Sequence, residues 1–158
     1  MPLTVAKPRS LWEDRFGRPT VESLLGACPR GVLPLIDHAR ERLRKVKGVS
    51  EQLAWQGIPW RWTLTYRHPQ EVERSFAFVV PDPAKPRLAV PIPDRVLGEI
   101  SLKKASKLLR DPILQAPIVG AVRWCQWELQ SKGLIEEVVD LAVLKVTAEA
   151  MASAPAGK

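Results

Sequence analysis

Cysteine is scarce in this chain: among 158 residues there are two, Cys28 and Cys125, far apart and in no metal-ligand or redox spacing. That excludes a disulfide-stapled secreted scaffold and a cysteine-built zinc site, and makes a reducing cytoplasm the simplest compartment. Histidine is equally scarce, with only His38 and His68, neither in a metal-ligand spacing. No segment approaches the ~18 uninterrupted apolar residues of a membrane span. The opening stretch MPLTVAKPRSLWEDRFG lacks the apolar run of a signal peptide. The nine glycines are scattered, so there is no loop to cradle a phosphate, and no nucleophile elbow is present. No internal repeat is visible. The expectation is a soluble protein without membrane association, with no catalytic set, no metal and no cofactor.

What the chain does have is positive charge and tryptophan. Lysine and arginine number 24 against 17 acids, a formal charge of +7, which favours phosphates or acidic surfaces as contacts. The length suits one domain, whose folding removes roughly 70% of the surface exposed by the unfolded chain and needs no staple. Six tryptophans are many for this size.

Residues 1–19 carry Pro2, Pro8 and Pro19 among Lys7, Arg9, Arg15 and Arg18, a composition that resists regular structure and reads as an extended arm, with Leu11, Trp12 and Phe16 able to dock. Residues 20–151 form the single domain. Thr20 offers an N-cap to a short helix that stops before Pro29. In GVLPLIDHARERLRKVKG, residues Val32, Leu35, Ile36, Ala39, Leu43 and Val46 recur at helical spacing. Pro34 is tolerable in the first turn, and Gly48 stands where a left-handed C-cap belongs. The period then changes to two. SEQLAWQ and WRWTLTYR form a hairpin turning at Gly57 to Pro59, RSFAFVV follows with Phe76, Phe78 and Val80 on one face, and RLAVPI turns Leu88, Val90 and Ile92 inward. Pro91 and Pro93 confine this last strand to an edge or a short pairing.

Helical signals return in PDRVLGEI, in SLKKASKLLRD with Ser101 as N-cap, and in PILQAPIVGAV, broken by Pro112 and Pro117. VRWCQWEL is a strand or a connector; as a strand it would turn Trp124 and Trp127 to opposite sides. LIEEVVDLAVLKVTAEAMA is a long closing helix, and residues 152–158 a loose tail. The class is therefore α+β, an antiparallel meander of about four to five strands with helices packed on one face.

The row Trp60, Trp62, Leu64 and Tyr66 alternates with Arg61, Thr63, Thr65 and Arg67. An exposed stacking platform of these aromatics would bury the two arginines, at a cost the platform cannot return. The row is therefore expected to face the helices. Trp55, Trp60, Trp62, Tyr66, Trp124 and Trp127 are the candidates to line a ligand pocket between sheet and helices. Arg40, Arg44 and Lys47 align along one helix edge, and Lys103, Lys107 and Arg110 with Lys104 beside them along another. Such stripes can clamp an anion, or simply keep a helix solvated.

A non-catalytic binding module for an acidic protein or a phosphorylated or anionic ligand is the leading expectation. A nucleic-acid-associated protein that holds phosphates through its basic helices is the alternative. A small hydrolase or isomerase would need Asp37, His38 or Glu51 to converge; His38 otherwise reads as solvated, and the cysteines as small buried hydrophobes.

The order of a helix ending ARERLRKVKGV, then EQLAWQGIPWRW at a hairpin, a meander and final helices resembles the small bacterial YdhG-type domains over residues 30–150. Some of these have been called frataxin-like iron chaperones. The diagnostic patch is Trp55 to Pro59, a tryptophan followed by Gly-x-Pro. The resemblance implies the fold. The iron-chaperone role would call for an acidic face, whereas this chain is basic with scattered acids.

Overall fold

The computed structural model describes residues 10–100, 102–103 and 105–152. Thr20 opens α1 (Val21–Gly26) with a capping box: its Oγ1 accepts the Ser23 N–H at 3.1 Å and Ser23 Oγ accepts the Thr20 N–H at 2.9 Å. In α2 (Leu33–Arg44), Pro34 sits in the first turn and Ile36, Ala39 and Leu43 form the buried stripe. Gly48 is left-handed at φ +82, but it lies beyond the Lys45 C-cap and serves the turn into the sheet, where a Cβ would stand 2.7 Å from Pro69.

Six strands, rather than four or five, make one antiparallel sheet in the order β1-β2-β3-β4-β6-β5. They are β1 (Ser50–Trp55), β2 (Trp62–Arg67), β3 (Ala77–Val80), β4 (Arg87–Pro93), β5 (Ile118–Val119) and β6 (Val122–Glu128). Residues 122–128 are thus a strand. It forms a tight hairpin with β5 through Gly120 and Ala121, both left-handed at φ 57 and 63, as a two-residue turn with matching twist requires.

The proline-bearing strand is not at an edge. β4 lies inside the sheet, with Pro91 opposite Trp124 and Pro93 opposite Val122. The short-pairing alternative holds instead: the β3–β4 ladder ends at Ala89, before Pro91, and a lysine from the last helix takes the Pro91 carbonyl, as described below.

Three further helices follow the meander: α3 (Asp94–Leu97), α4 (Lys107–Leu114) and α5 (Lys132–Ala152). The N-cap of α4 is Ser106, whose Oγ accepts the Leu109 N–H at 3.3 Å. The expected N-cap, Ser101, is outside the described residues, and Lys103 lies in a turn ahead of the helix. Pro112 falls inside α4 instead of ending it. Leu64, Leu88, Val90, Ile92 and Trp127 from the sheet meet Ile36, Ala39 and Leu43 of α2 and Ile135, Val138 and Ala142 of α5 in the main core. Burying side chains of this size contributes roughly 1.5–3 kcal/mol each.

Among the described residues, no helix is long and apolar enough to cross a membrane. Of the expected arm, residues 1–9 lie outside the described part. Residues 10–17 run through turns, and Trp12 is buried beside Leu24 and Val80 while Phe16 stays exposed. Residues 153–158 of the expected tail are also outside it.

Candidate functional site

The aromatic row does not stay on one side. Ladder partners share a face, so Trp62, Leu64 and Tyr66 stand with Trp55, Leu53 and Val79 on the helical side. Trp60 does not. Arg61 is left-handed at φ +58 and its N–H returns to Gly57 O. This breaks the alternation and folds the 56–61 loop, with a cis Ile58–Pro59 peptide, over the opposite face. There Trp60 meets Phe78 edge-on at 5.0 Å and Trp124 at 6.2 Å. Thr63 Oγ1 holds the loop down by donating to Trp60 O at 3.1 Å.

Phe76 and Phe78 part in the same way. Phe76 N–H bonds Tyr66 O while Tyr66 pairs with Ala77, two residues against one as in a β-bulge. Phe76 therefore joins the helical core, and Phe78 stays on the opposite face of the sheet, beside Trp60 and Trp124.

The result is a notch of about 300 Å³ between loop and sheet, lined by Gln56, Ile58, Pro59, Trp60, Phe78 and Trp124. None of these side chains titrates. Trp60 and Trp124 are half-buried, Phe78 is covered, and Ile58 is 76% exposed at the rim. A second hollow, about 590 Å³, lies across the loop and includes Arg15, Phe16, Trp55, Ile58 and Arg61 in its wall.

The six candidate aromatics thus do not gather between sheet and helices. Tyr66 is buried and its hydroxyl donates to Glu51 at 2.6 Å, and Trp127 is buried with its indole N–H on Leu109 O at 3.0 Å. Trp62 gives its N–H to Asp14 O at 2.7 Å and meets Trp55 edge-on at 5.7 Å. Only Trp60 and Trp124 reach the notch.

Of the candidate anion-binding residues, Arg40 is already engaged, bidentate on Glu51 at 3.0 and 2.9 Å. Burial pushes the Glu51 carboxyl up, but the hydrogen bonds from Arg40 and Tyr66 outweigh it and hold it below 4.5. Arg44, Lys47, Lys103 and Lys107 are exposed and form no ion pair with a described acid, and Arg110 is half-buried. Lys104 lies outside the described residues.

Asp37, His38 and Glu51 do not converge. His38 Nε2 bonds Glu136 at 2.9 Å on α5, where Arg42 also binds at 2.6 Å, and Asp37 is exposed. Both cysteines are buried and free. Burial pushes the Cys125 thiol up to about 12 and raises Cys28 as well, with Asp82 and Asp37 adding to the latter, so neither is a poised nucleophile.

One buried polar cluster escaped the sequence reading. Lys145 of α5 is 0% exposed, and its ammonium donates to Phe76 O at 2.8 Å and Pro91 O at 3.1 Å and faces Glu71 Oε1 at 2.8 Å. Pro91 has no N–H, Phe76 gives its own to Tyr66, and the β3–β4 ladder ends at Phe78 opposite Ala89. The ammonium joins the two strands where their backbone cannot. Two of its N–H groups hydrogen-bond carbonyls and its charge pairs with Glu71, which suits a structural role and not a nucleophilic one. The sequence signal was present: Val138, Ala142, Lys145 and Glu149 are spaced four, three and four apart, so the lysine lies on the buried stripe.

No family model, no curated protein and no solved structure matches the chain.

Proposed function

We propose that this domain is a non-catalytic binding module of the cytoplasm, receiving an anionic, for instance phosphorylated, ligand with a flat apolar group at the notch beneath the 56–61 loop. One observation carries the reading: Trp60 and Trp124 remain half-exposed around a hollow without a titratable group, on the sheet face opposite α2 and α5. Partly exposed indoles bind planar groups well. The charge of +7 favours an anion among such ligands.

Tryptophan fluorescence titration with nucleoside monophosphates and phosphotyrosine tests it. Trp60→Ala and Trp124→Ala are each expected to weaken binding about tenfold, the scale of one lost aromatic contact. Binding unchanged in the double variant removes the notch as the site.

The exposed Arg44, Lys47, Lys103 and Lys107 favour a second reading, a nucleic-acid-associated protein. Its mark is affinity for single-stranded oligonucleotides that falls steeply with added salt; no retardation at low salt removes it. We propose kinship to the YdhG-type domains on the Trp55–Pro59 turn, which is the loop that carries Trp60. Fold alone is carried over from them.

A further inference from the structure

Strand β1 is an edge of the sheet, and β2 is its only ladder partner among the described residues. Backbone groups alternate in direction along an antiparallel strand. Tyr66 O accepts the Phe76 N–H on the β3 side, and Gln56 N–H donates to Arg61 O at 2.8 Å, so Ser50, Gln52 and Ala54 turn their backbone groups to β2. Those of Glu51, Leu53 and Trp55 point out of the sheet, and no described group bonds them.

A bare edge is a template for another chain, and proteins ordinarily blunt one with brevity, proline, lysine or a bulge. The opposite edge, β5, is only two residues long. β1 has six, in unbroken register and without proline or lysine. Its one charged side chain, Glu51, is already neutralised by Arg40 and bonded by the Tyr66 hydroxyl.

Cations stand at both ends of this edge, and an apolar hollow at one. Trp55, its last residue, is in the wall of the hollow of about 590 Å³, with Phe16 and Ile58 beside it, 85% and 76% exposed. Arg15 in the same wall is exposed, pairs with no described acid, and holds its guanidinium 5.8 Å over the Phe16 ring. At the other end Arg44, exposed and likewise without a described acid, stands close enough to Glu51 to help hold its carboxyl down.

We propose that β1 is a docking edge, to which an extended acidic segment of a partner protein adds as a further strand, with an apolar side chain in the hollow at Trp55 and acids reaching Arg15 and Arg44. The outward N–H and C=O groups call for a peptide backbone, which a nucleic acid does not offer. A second copy of this chain would match the backbone but not the charge. Two-fold pairing along the edge sets the Arg44 end of one copy against the Arg15 end of the other, between chains that each carry +7.

Amide hydrogen exchange on the full chain tests this, with a capped peptide of alternating valine and threonine that has a phenylalanine and a pair of glutamates at each end. In the free chain the amides of Glu51, Leu53 and Trp55 should exchange fast and those of Gln52 and Ala54 slowly; excess peptide should slow the first group about tenfold or more. The same peptide with lysine in place of every glutamate should not bind. Arg15→Glu and Arg44→Glu should each weaken binding about fivefold at low salt, the scale of one exposed ion pair, and added salt should erase the difference. Leu53→Pro removes an outward N–H and no bond of the β1–β2 ladder, and should weaken binding about tenfold; if it does not fold, the two charge reversals carry the comparison. The proposal fails if the three amides are already protected in the free chain, as a second copy on the edge would make them, or if they stay unprotected in excess peptide. It fails equally if the lysine peptide binds as well, if both charge reversals bind as wild type, or if oligothymidylate protects the same amides.

Discussion

Replacing Lys145 with methionine isolates the contribution of one buried ammonium to a six-stranded sheet. Methionine nearly matches the lysine stem in volume, so the loss is polar and leaves little cavity. The side chain is 0% exposed, and three oxygens within 3.1 Å depend on it: Phe76 O, Pro91 O and Glu71 Oε1. Removing one partner of a buried charge pair costs about 3–5 kcal/mol. Glu71 can soften this by taking up a proton, which places the variant near 3 kcal/mol, about the lower end of that range, at acid pH. At about 2–4 °C per kcal/mol for a domain of this size, the melting temperature should fall by about 6–12 °C. The loss should grow with pH. Without the ammonium, the folded-state pKa of Glu71 moves further above its ordinary 4.5, so its protonated form supports the fold below 4.5 and that support disappears as pH rises through the folded value. Circular dichroism melts at pH 5 and pH 8 read both effects. A drop under about 2 °C, or an equal drop at both pH values, would refute the assignment of the ammonium as the joint between β3 and β4.

Gly48→Ala should cost about 1–3 kcal/mol, because the residue is left-handed at φ +82 and its new methyl would stand 2.7 Å from Pro69 Cγ; denaturant titration measures it. In the wild-type chain, Glu71 makes stability fall as pH rises from 4.5 through about 7, with a slope of about one proton. Glu71→Gln should flatten that part of the profile and leave the rest unchanged.

The elements legible in the sequence are those that a short-range pattern specifies. The α2 stripe, the Thr20 cap and the Leu88–Val90–Ile92 alternation each depend on neighbours within a few residues, and the structure has them all. Three readings were incomplete for one shared reason: each depended on a group outside a short-range pattern. Pro91 and Pro93 read as confining β4 to an edge or a short pairing; β4 is interior, and the short pairing holds, since its ladder with β3 ends at Ala89 and Lys145, 54 positions after Pro91, donates to the Pro91 carbonyl beyond it. Arg40 read as a free cation, and Glu51 from the adjacent strand claims it. His38 read as solvated, and Glu136 of α5 receives it. Charge pairing across elements is invisible to periodicity, so the basic stripe was overcounted and the buried cluster at Lys145 was missed.

The notch at Trp60 depends on a single backbone inversion, and that inversion depends on a segment that composition alone marked as an arm. A residue other than glycine in the left-handed region costs roughly 1–2 kcal/mol, so Arg61 must be held there. Its backbone is held locally, by its N–H on Gly57 O and by its carbonyl accepting the Gln56 N–H at 2.8 Å. Its side chain is held from residues 10–19, with the guanidinium 5.3 Å over the Trp12 ring and 3.6 Å from Glu13. Next along the chain, Trp62 is tied to Asp14 O. Had residues 60–62 continued extended, Trp60 would have joined Trp62 on the helical side, leaving Phe78 and Trp124 without it on the opposite face. The docking of Trp12, the handedness of Arg61 and the position of Trp60 are thus successive links of one chain of contacts, and the candidate binding surface lies at its end.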